Sequence, residues 1–392
     1  MGPGSLRFMA APGFVPPPYP HDRLRELRAA GEAVPGGLVD CSVGTPVDPM
    51  PEVAQRALSD AAAAATGYPP AIGAPAYREA AAAWIGRRFG VAVSSDAVLA
   101  CIGTKELVAA LPRLLSLRDP SRDTVLYPGV AYPTYEMGAR LAGLRAVPVP
   151  LDERWLLDLS RISEDDAARA LVVWVNEPGN PTGAAGGAEH LRAVVDWARG
   201  CGAVVASDEC YAEFTYDESG APAAPATALA AGHDRVLAVH SLSKRSNMAG
   251  LRAGFVAGDA ALVSYLGQVR KHAGLMTPAP VQAAATAALA DDVHVDEQRA
   301  RYARRRALAQ EALLDWGLVH DGGPSTFYLW LRSPDGREDG WSVTRRLAEQ
   351  GLLVAPGDLY GPDGSAHVRL SLTQTDDRLA LAFERLAAKE RV

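Results

Sequence analysis

Residues 171–183 read LVVWVNEPGNPTG. Apolar, mostly β-branched residues run unbroken from Leu171 to Val175 and then meet a cluster of turn formers. A short run with no polar alternation is a strand covered on both faces, and Asn, Pro and Gly end it. The same pattern returns at 203–211, AVVASDECY, and at 236–244, VLAVHSLSK, with a helical stretch at His190–Arg199 between the first two. On either side, comparable runs lie at Ala97–Cys101, Thr124–Tyr127, Ala146–Val149 and Ala253–Val256, most of them separated by helical stretches such as Glu106–Leu117 and Tyr135–Ala142. Apolar strands alternating with helices predict an α/β fold whose main feature is a mostly parallel seven-stranded sheet flanked by helices.

Beyond residue 280 the texture changes. An arginine-rich helix is expected at Val295–Asp315, followed by the runs Phe327–Leu331 and His367–Leu372, which suit a smaller α+β domain. The length of 392 residues predicts two to three domains. The expected division is an expression-tag remnant at 1–5, an N-terminal arm and part of the small domain at 6–48, the large domain at 49–280 and the small C-terminal domain at 281–392. The arm is proline-rich at 11–20, which excludes a helix there.

Composition excludes several classes. Hydrophobic residues make up 48% and charged residues 22%, so the chain is not a disordered polymer. Lys plus Arg number 39 against 46 Asp plus Glu, a net charge of −7, which argues against nucleic acid as a partner. Cys41, Cys101, Cys201 and Cys210 form no CxxC pair and no Cys/His cluster with zinc spacing, so no metal is expected. With no long apolar run and no basic-then-apolar leader, the expectation is a cytoplasmic protein with free thiols and no membrane partner. Arg301, Arg304, Arg305 and Arg306 are read as the solvated face of a helix.

In an open parallel sheet, ligands bind beyond the carboxyl ends of the strands. The residues expected there carry chemistry. Gly103-Thr104-Lys105 opens a helix and offers free N–H groups to a phosphate. Ser241 and Arg252 add a hydroxyl and a guanidinium fork to the same anion. Asp208 is placed to keep a pyridine nitrogen protonated, Asn180 and Tyr211 to hydrogen-bond a phenolate oxygen, and Tyr132 to stack on a flat ring. Lys244 is the only lysine between residues 106 and 270 and is suited to forming a Schiff base. Together these describe a site for pyridoxal 5′-phosphate.

Asn180-Pro181-Thr182-Gly183, Asp208-Glu209-Cys210-Tyr211, Ser241-Leu242-Ser243-Lys244 and Arg252-Ala253-Gly254-Phe255, in that order, resemble the class I/II, fold-type I aminotransferases. The likeness runs from Ser42-Val43-Gly44 to Arg369-Leu370-Ser371. It implies that Lys244, Asp208 and Tyr211 are catalytic. It implies that Gly103, Thr104, Lys105 (through its backbone), Tyr132, Asn180, Ser241, Ser243 and Arg252 join them in holding the cofactor. Gly44, Asn180 and Arg369 would hold the substrate carboxylate, and Tyr68 would reach the phosphate of a partner subunit in a homodimer with shared sites. Further stretches, among them SVGTPVDP, IGTKEL and VAPGDLYGP, are similar to the actinobacterial succinyldiaminopimelate aminotransferases, which implies that reaction with glutamate and 2-oxoglutarate as the other pair. Glu177 departs from the family's usual Asn-Pro-x-Asn-Pro-Thr-Gly run. A substrate with carboxylates at both ends needs a second cation besides Arg369, and Arg270-Lys271-His272 either supplies it from the partner subunit or is a cationic helix C-terminus. A different amino acid specificity and a C–S β-lyase on the same cofactor remain as alternatives. A regulator carrying a DNA-binding domain is disfavoured by the short, proline-rich stretch before Gly44.

Overall fold

The computed structural model describes residues 14–389. The tag remnant expected at 1–5 and the arm as far as residue 13 lie outside the described residues. The large sheet is formed by β1 (Val98–Cys101), β2 (Thr124–Pro128), β3 (Arg145–Val149), β4 (Ala170–Asn176), β5 (Val204–Asp208), β6 (Val236–Ser241) and β7 (Gly254–Gly258), in the order β1-β7-β6-β5-β4-β2-β3. Every neighbouring pair is parallel except those that β7 makes with β6 and β1. Thus β7 alone runs against the rest. All residues of β4, β5 and β6 are buried, as their unbroken apolar character requires, while β3 at the edge is half exposed.

Helices α1 (Glu52–Ala62), α2 (Pro75–Phe89), α3 (Thr104–Arg118), α4 (Thr134–Leu141) and α5 (Gly187–Cys201) connect and cover these strands. A further helix, α6 (Ala279–Ala290), spans the boundary expected at 280. Its Ala284, Ala285, Ala288 and Leu289 share a core cluster with Tyr77, Ala81 and Trp84 of α2, so the large core continues to residue 290. Pro278 caps the helix and Pro280 lies in its first turn, where a missing N–H costs nothing.

The smaller unit has a four-stranded antiparallel sheet of β8 (Val319–His320), β9 (Tyr328–Arg332), β10 (Ala355–Pro356) and β11 (His367–Ser371), ordered β10-β11-β9-β8. The helix α7 (Val293–Asp315) packs with it, and Val39–Asp40 pairs in parallel with Leu352–Leu353. The arginine cluster on α7 corrects an expectation. Tyr302, Arg305, Arg306, Ala309 and Leu313 are spaced three or four apart and form the buried stripe. Arg305 holds both oxygens of Asp48, at 2.8 and 2.9 Å, and Arg306 Nη2 donates to the carbonyls of Ser325, Thr326 and Tyr328. Of the cluster, Arg304 is exposed. Among the described residues no helix is long and apolar enough to cross a membrane, and none of their His, Cys, Asp and Glu side chains cluster as metal ligands.

Candidate active site

Because β4, β5 and β6 run in parallel, their last residues, Asn176, Asp208 and Ser241, emerge at one edge of the sheet. Register places Asn176 directly opposite Asp208, and Asn176 Nδ2 donates to the Asp208 carbonyl at 2.9 Å. A cavity of about 290 Å³ opens there. It is lined by Gly44, Thr104, Lys105, Tyr132, Asn180, Asp208, Tyr211, Ser241, Ser243, Lys244, Arg252 and Arg369, all expected from sequence. Two expected residues do not line it. Tyr68 is 95% exposed on the surface of this chain. Gly103 stands just behind the wall, against Arg252.

Gly103 caps α3 in the left-handed region, with φ of 70°. A Cβ there would lie 2.2 Å from Nη2 of Arg252, so a side chain would push the guanidinium away. Arg252 therefore faces the N-terminus of a 15-residue helix, the positive end of its dipole. Two positive ends meet with no carboxylate of the described residues within ion-pair distance of Arg252. An anion between them satisfies both, together with the free N–H groups of the first helical turn and the nearby Ser241 hydroxyl. Gly103→Ala should weaken cofactor binding about tenfold, since a strained φ and a displaced guanidinium cost on the order of 1–3 kcal/mol. Cofactor titration followed by absorbance measures this.

Asp208 is buried, which holds its carboxyl above the usual carboxylate range against hydrogen bonds from Cys210 and Tyr135 and the nearby Lys244 charge that pull it down. Tyr135 Oη donates to Oδ2 at 2.7 Å, and Tyr135 itself stacks on Trp174. A carboxylate this deep is costly without a cation, and a protonated pyridine nitrogen is a partner of the right size. Tyr211 lies 3.0 Å from Tyr328, hydroxyl to hydroxyl. Burial and this neighbour push the Tyr211 phenol well above its ordinary range, so it is a neutral donor at physiological pH. Lys244 Nζ donates to the Gly44 carbonyl and sits 5.8 Å from the Phe327 ring centre.

At the opposite wall, Arg369 Nη1 donates to Asn180 Oδ1 at 2.8 Å and Nη2 to the Ser42 carbonyl at 2.7 Å, while its Nε has no partner among the described residues. The guanidinium is packed against Tyr328 and Tyr360, 4.2 and 4.9 Å from their ring centres. A buried cation held by neutral acceptors with a spare N–H can take a carboxylate. Gly44 packs closely against the same wall, since a Cβ would fall 1.9 Å from Tyr328 Oη.

Sequence reasoning missed Tyr19, His21, Tyr135, Tyr328 and Tyr360. Tyr135 stands three residues after Tyr132 at the start of α4, so a helical register carried a faint signal. Nothing local marks Tyr328 or Tyr360. Arg270 does not line the cavity of its own chain. It is fully buried and clamps Glu106 at 2.6 and 2.9 Å near the end of its helix, Ala260–His272.

The family model for aminotransferase class I and II matches residues 38–386. A probable aminotransferase of Mycobacterium tuberculosis is 47% identical, covering 94% of this chain and 85% of that protein. The 4-dedimethylamino-4-oxo-anhydrotetracycline transaminase OxyQ of Streptomyces rimosus is 46% identical, covering 94% and 99%. Among solved structures, a probable N-succinyldiaminopimelate aminotransferase of Thermus thermophilus superposes with a TM-score of 0.83 at 31% identity, covering 93% and 98%. This family works with pyridoxal 5′-phosphate, the group that the buried carboxylate, the lysine and the anion cup fit. With the match spanning nearly the whole chain, the protein belongs to the class I and II aminotransferases.

Proposed function

We propose that this aminotransferase converts N-succinyl-L,L-2,6-diaminopimelate and 2-oxoglutarate to N-succinyl-2-amino-6-oxopimelate and glutamate. The observation that carries the reading is Lys105. Its ammonium lies 5.1 Å from the ring centre of Tyr19 and 5.9 Å from that of Tyr132, in the cavity wall. No carboxylate among the described residues comes within ion-pair distance of it, and the only acid lining the cavity is Asp208. With Arg252 assigned to the phosphate and Arg369 to the α-carboxylate, Lys105 is left to attract a second anionic group. That role adds to the backbone contact expected of it. Arg270 of the same chain, paired with Glu106, does not line the cavity.

The bound cofactor supplies an aldehyde carbon for the amino group and a ring that accepts electrons. The remaining chemistry belongs to the chain. Thr104, Lys105, Ser241, Ser243 and Arg252 hold the phosphate beside Gly103. Asp208 Oδ2, oriented by Tyr135, holds a proton on the ring nitrogen. Asn180 and Tyr211 donate to the ring oxygen, and Tyr132 covers the ring face. Lys244 Nζ takes the α-proton and returns it, while Arg369, Asn180 and Gly44 fix the carboxylate so that the Cα–H bond meets that amine. Tyr68, exposed here, is assigned to the phosphate of a partner subunit, which makes the enzyme a homodimer. Four free cysteines suit the cytoplasm.

Titration of the holoenzyme with N-succinyl-L,L-diaminopimelate tests this. The visible band of the lysine-bound cofactor should give way to that of its amino form, and 2-oxoglutarate should reverse the change. A response to glutamate alone removes the substrate assignment and keeps the transaminase. Pyruvate released from cystathionine without a keto acid favours the lyase. The OxyQ likeness supports a second reading, in which the acceptor is a ketone on a polyketide ring. A tetracycline-type ketone discharging the amino form would favour that reading.

A further inference from the structure

Glu177 stands where the sequence departs from the family motif. It is buried and lies at the start of the loop that carries Asn180. Its Oε2 accepts the Gly186 N–H at 2.6 Å, at the far end of the same loop and at the cap of α5. Its Oε1 is in close contact with Nδ1 of His190, one turn into α5. His190 Nε2 faces the Leu157 carbonyl at 3.1 Å. A carbonyl only accepts, so Nε2 carries a proton, and a carboxylate on the other nitrogen favours a proton there too. The geometry is that of an imidazolium between two acceptors.

Between Glu177 and Gly186 the turn closes on itself through Gly179 N–H to the Ala184 carbonyl and Gly183 N–H to the Gly179 carbonyl, each 2.8 Å. The Asn180 N–H donates to Asn176 Oδ1 at 2.8 Å, and its Oδ1 accepts from Arg369. We propose that Glu177 and His190 are positioning residues for substrate binding: their ion pair locks the 177–186 loop so that Asn180 stays aligned with Arg369 in the carboxylate receptor. The inference rests on the reading that Arg369 and Asn180 hold the substrate carboxylate.

The lock responds to pH. Burial alone would lower the His190 pKa, but the hydrogen bond and charge of Glu177 outweigh it and raise it above the ordinary value, with Leu157 and Asp152 adding in the same direction. These are the groups that face the ring: Glu177 from the loop, and Asp152 and the Leu157 carbonyl from the segment after β3. A raised histidine pKa means that the pair is intact below the ordinary histidine pKa of about 6.5 and is lost as pH rises through the folded value.

Steady-state kinetics of the holoenzyme with glutamate, from about pH 6 to about pH 9, test the inference. Wild-type KM should rise with pH while kcat follows its own profile. Glu177→Gln should raise KM about tenfold at the acid end, leave kcat within about twofold and flatten the rise with pH, as expected for a misplaced binding group. His190→Asn should do the same and serves if Glu177→Gln fails to fold. In an Asn180→Ala background, Glu177→Gln should add nothing further to KM, because both act on one contact. An unchanged KM and pH profile, a loss carried by kcat alone, or additive effects in that cycle would overturn the proposal. A normal KM for glutamate in the Asn180→Ala variant overturns the carboxylate reading itself, and the inference with it.

Discussion

Lys244→Ala should lower kcat by at least about 10⁴-fold while the protein still binds its cofactor. Two functions vanish together: the amine that bonds the cofactor and the base that moves the α-proton, for which general acid–base catalysis alone is worth roughly 10²–10⁴. The variant should fold, because among the described residues Lys244 Nζ is hydrogen-bonded only to the Gly44 carbonyl, and the side chain is only half-buried. Single-turnover kinetics and the absorbance of the reconstituted protein are the measurements. The visible band should lose its lysine-bound form, and added amines of small size should restore part of the rate. Turnover at the wild-type rate would remove Lys244 from the mechanism.

Arg369→Ala should reduce kcat/KM by about 10²–10³ for both the amino acid and the keto acid, with most of the loss in KM. Truncating a buried, hydrogen-bonded charge typically costs about 2–5 kcal/mol, and here it also leaves Asn180 Oδ1 without this donor and the Ser42 carbonyl with only the longer contact to His21 Nε2, at 3.3 Å. An amine lacking a carboxylate should lose far less, since it never used the guanidinium. Equal losses for amines with and without a carboxylate would show that Arg369 acts through the fold and not through the ligand.

The cavity accommodates these groups because of strand direction. The ends of β4, β5 and β6 are separated, one from the next, by about a hundred ångströms of chain if it were fully extended. Parallel pairing nevertheless returns each strand to the same edge. The residues just past each apolar run were therefore enough to name Asn180, Asp208, Ser241, Ser243 and Lys244, and these line one cavity. Where a signal existed and was passed over, it was periodic: the buried stripe on α7 contains Arg305 and Arg306 at positions an apolar pattern would claim. The packing of α6 across residue 280 was hard to read for a related reason, because α6 packs through alanines that carry little pattern of their own.

The seven strands, their mostly parallel arrangement, the cofactor and most of the residues that line the cavity were legible in the chain, because each of these depends on a local run and the turn that ends it. The contacts that tie the site together were not. Tyr135 meets Asp208 across 73 residues, Tyr328 meets Tyr211 across 117, Arg369 meets Asn180 across 189, and Lys244 meets Gly44 across 200. The Tyr135 contact is set by how α4 packs on the large sheet and the others by how the smaller unit and the segment around Gly44 seat on its edge, and no local propensity or period encodes a side-chain contact over such separations. Lys105 shows both halves at once. Its backbone place at a helix start was legible, whereas its ammonium, unpartnered by any carboxylate among the described residues and beside Tyr19 and Tyr132, became visible only once the fold had brought those rings to it.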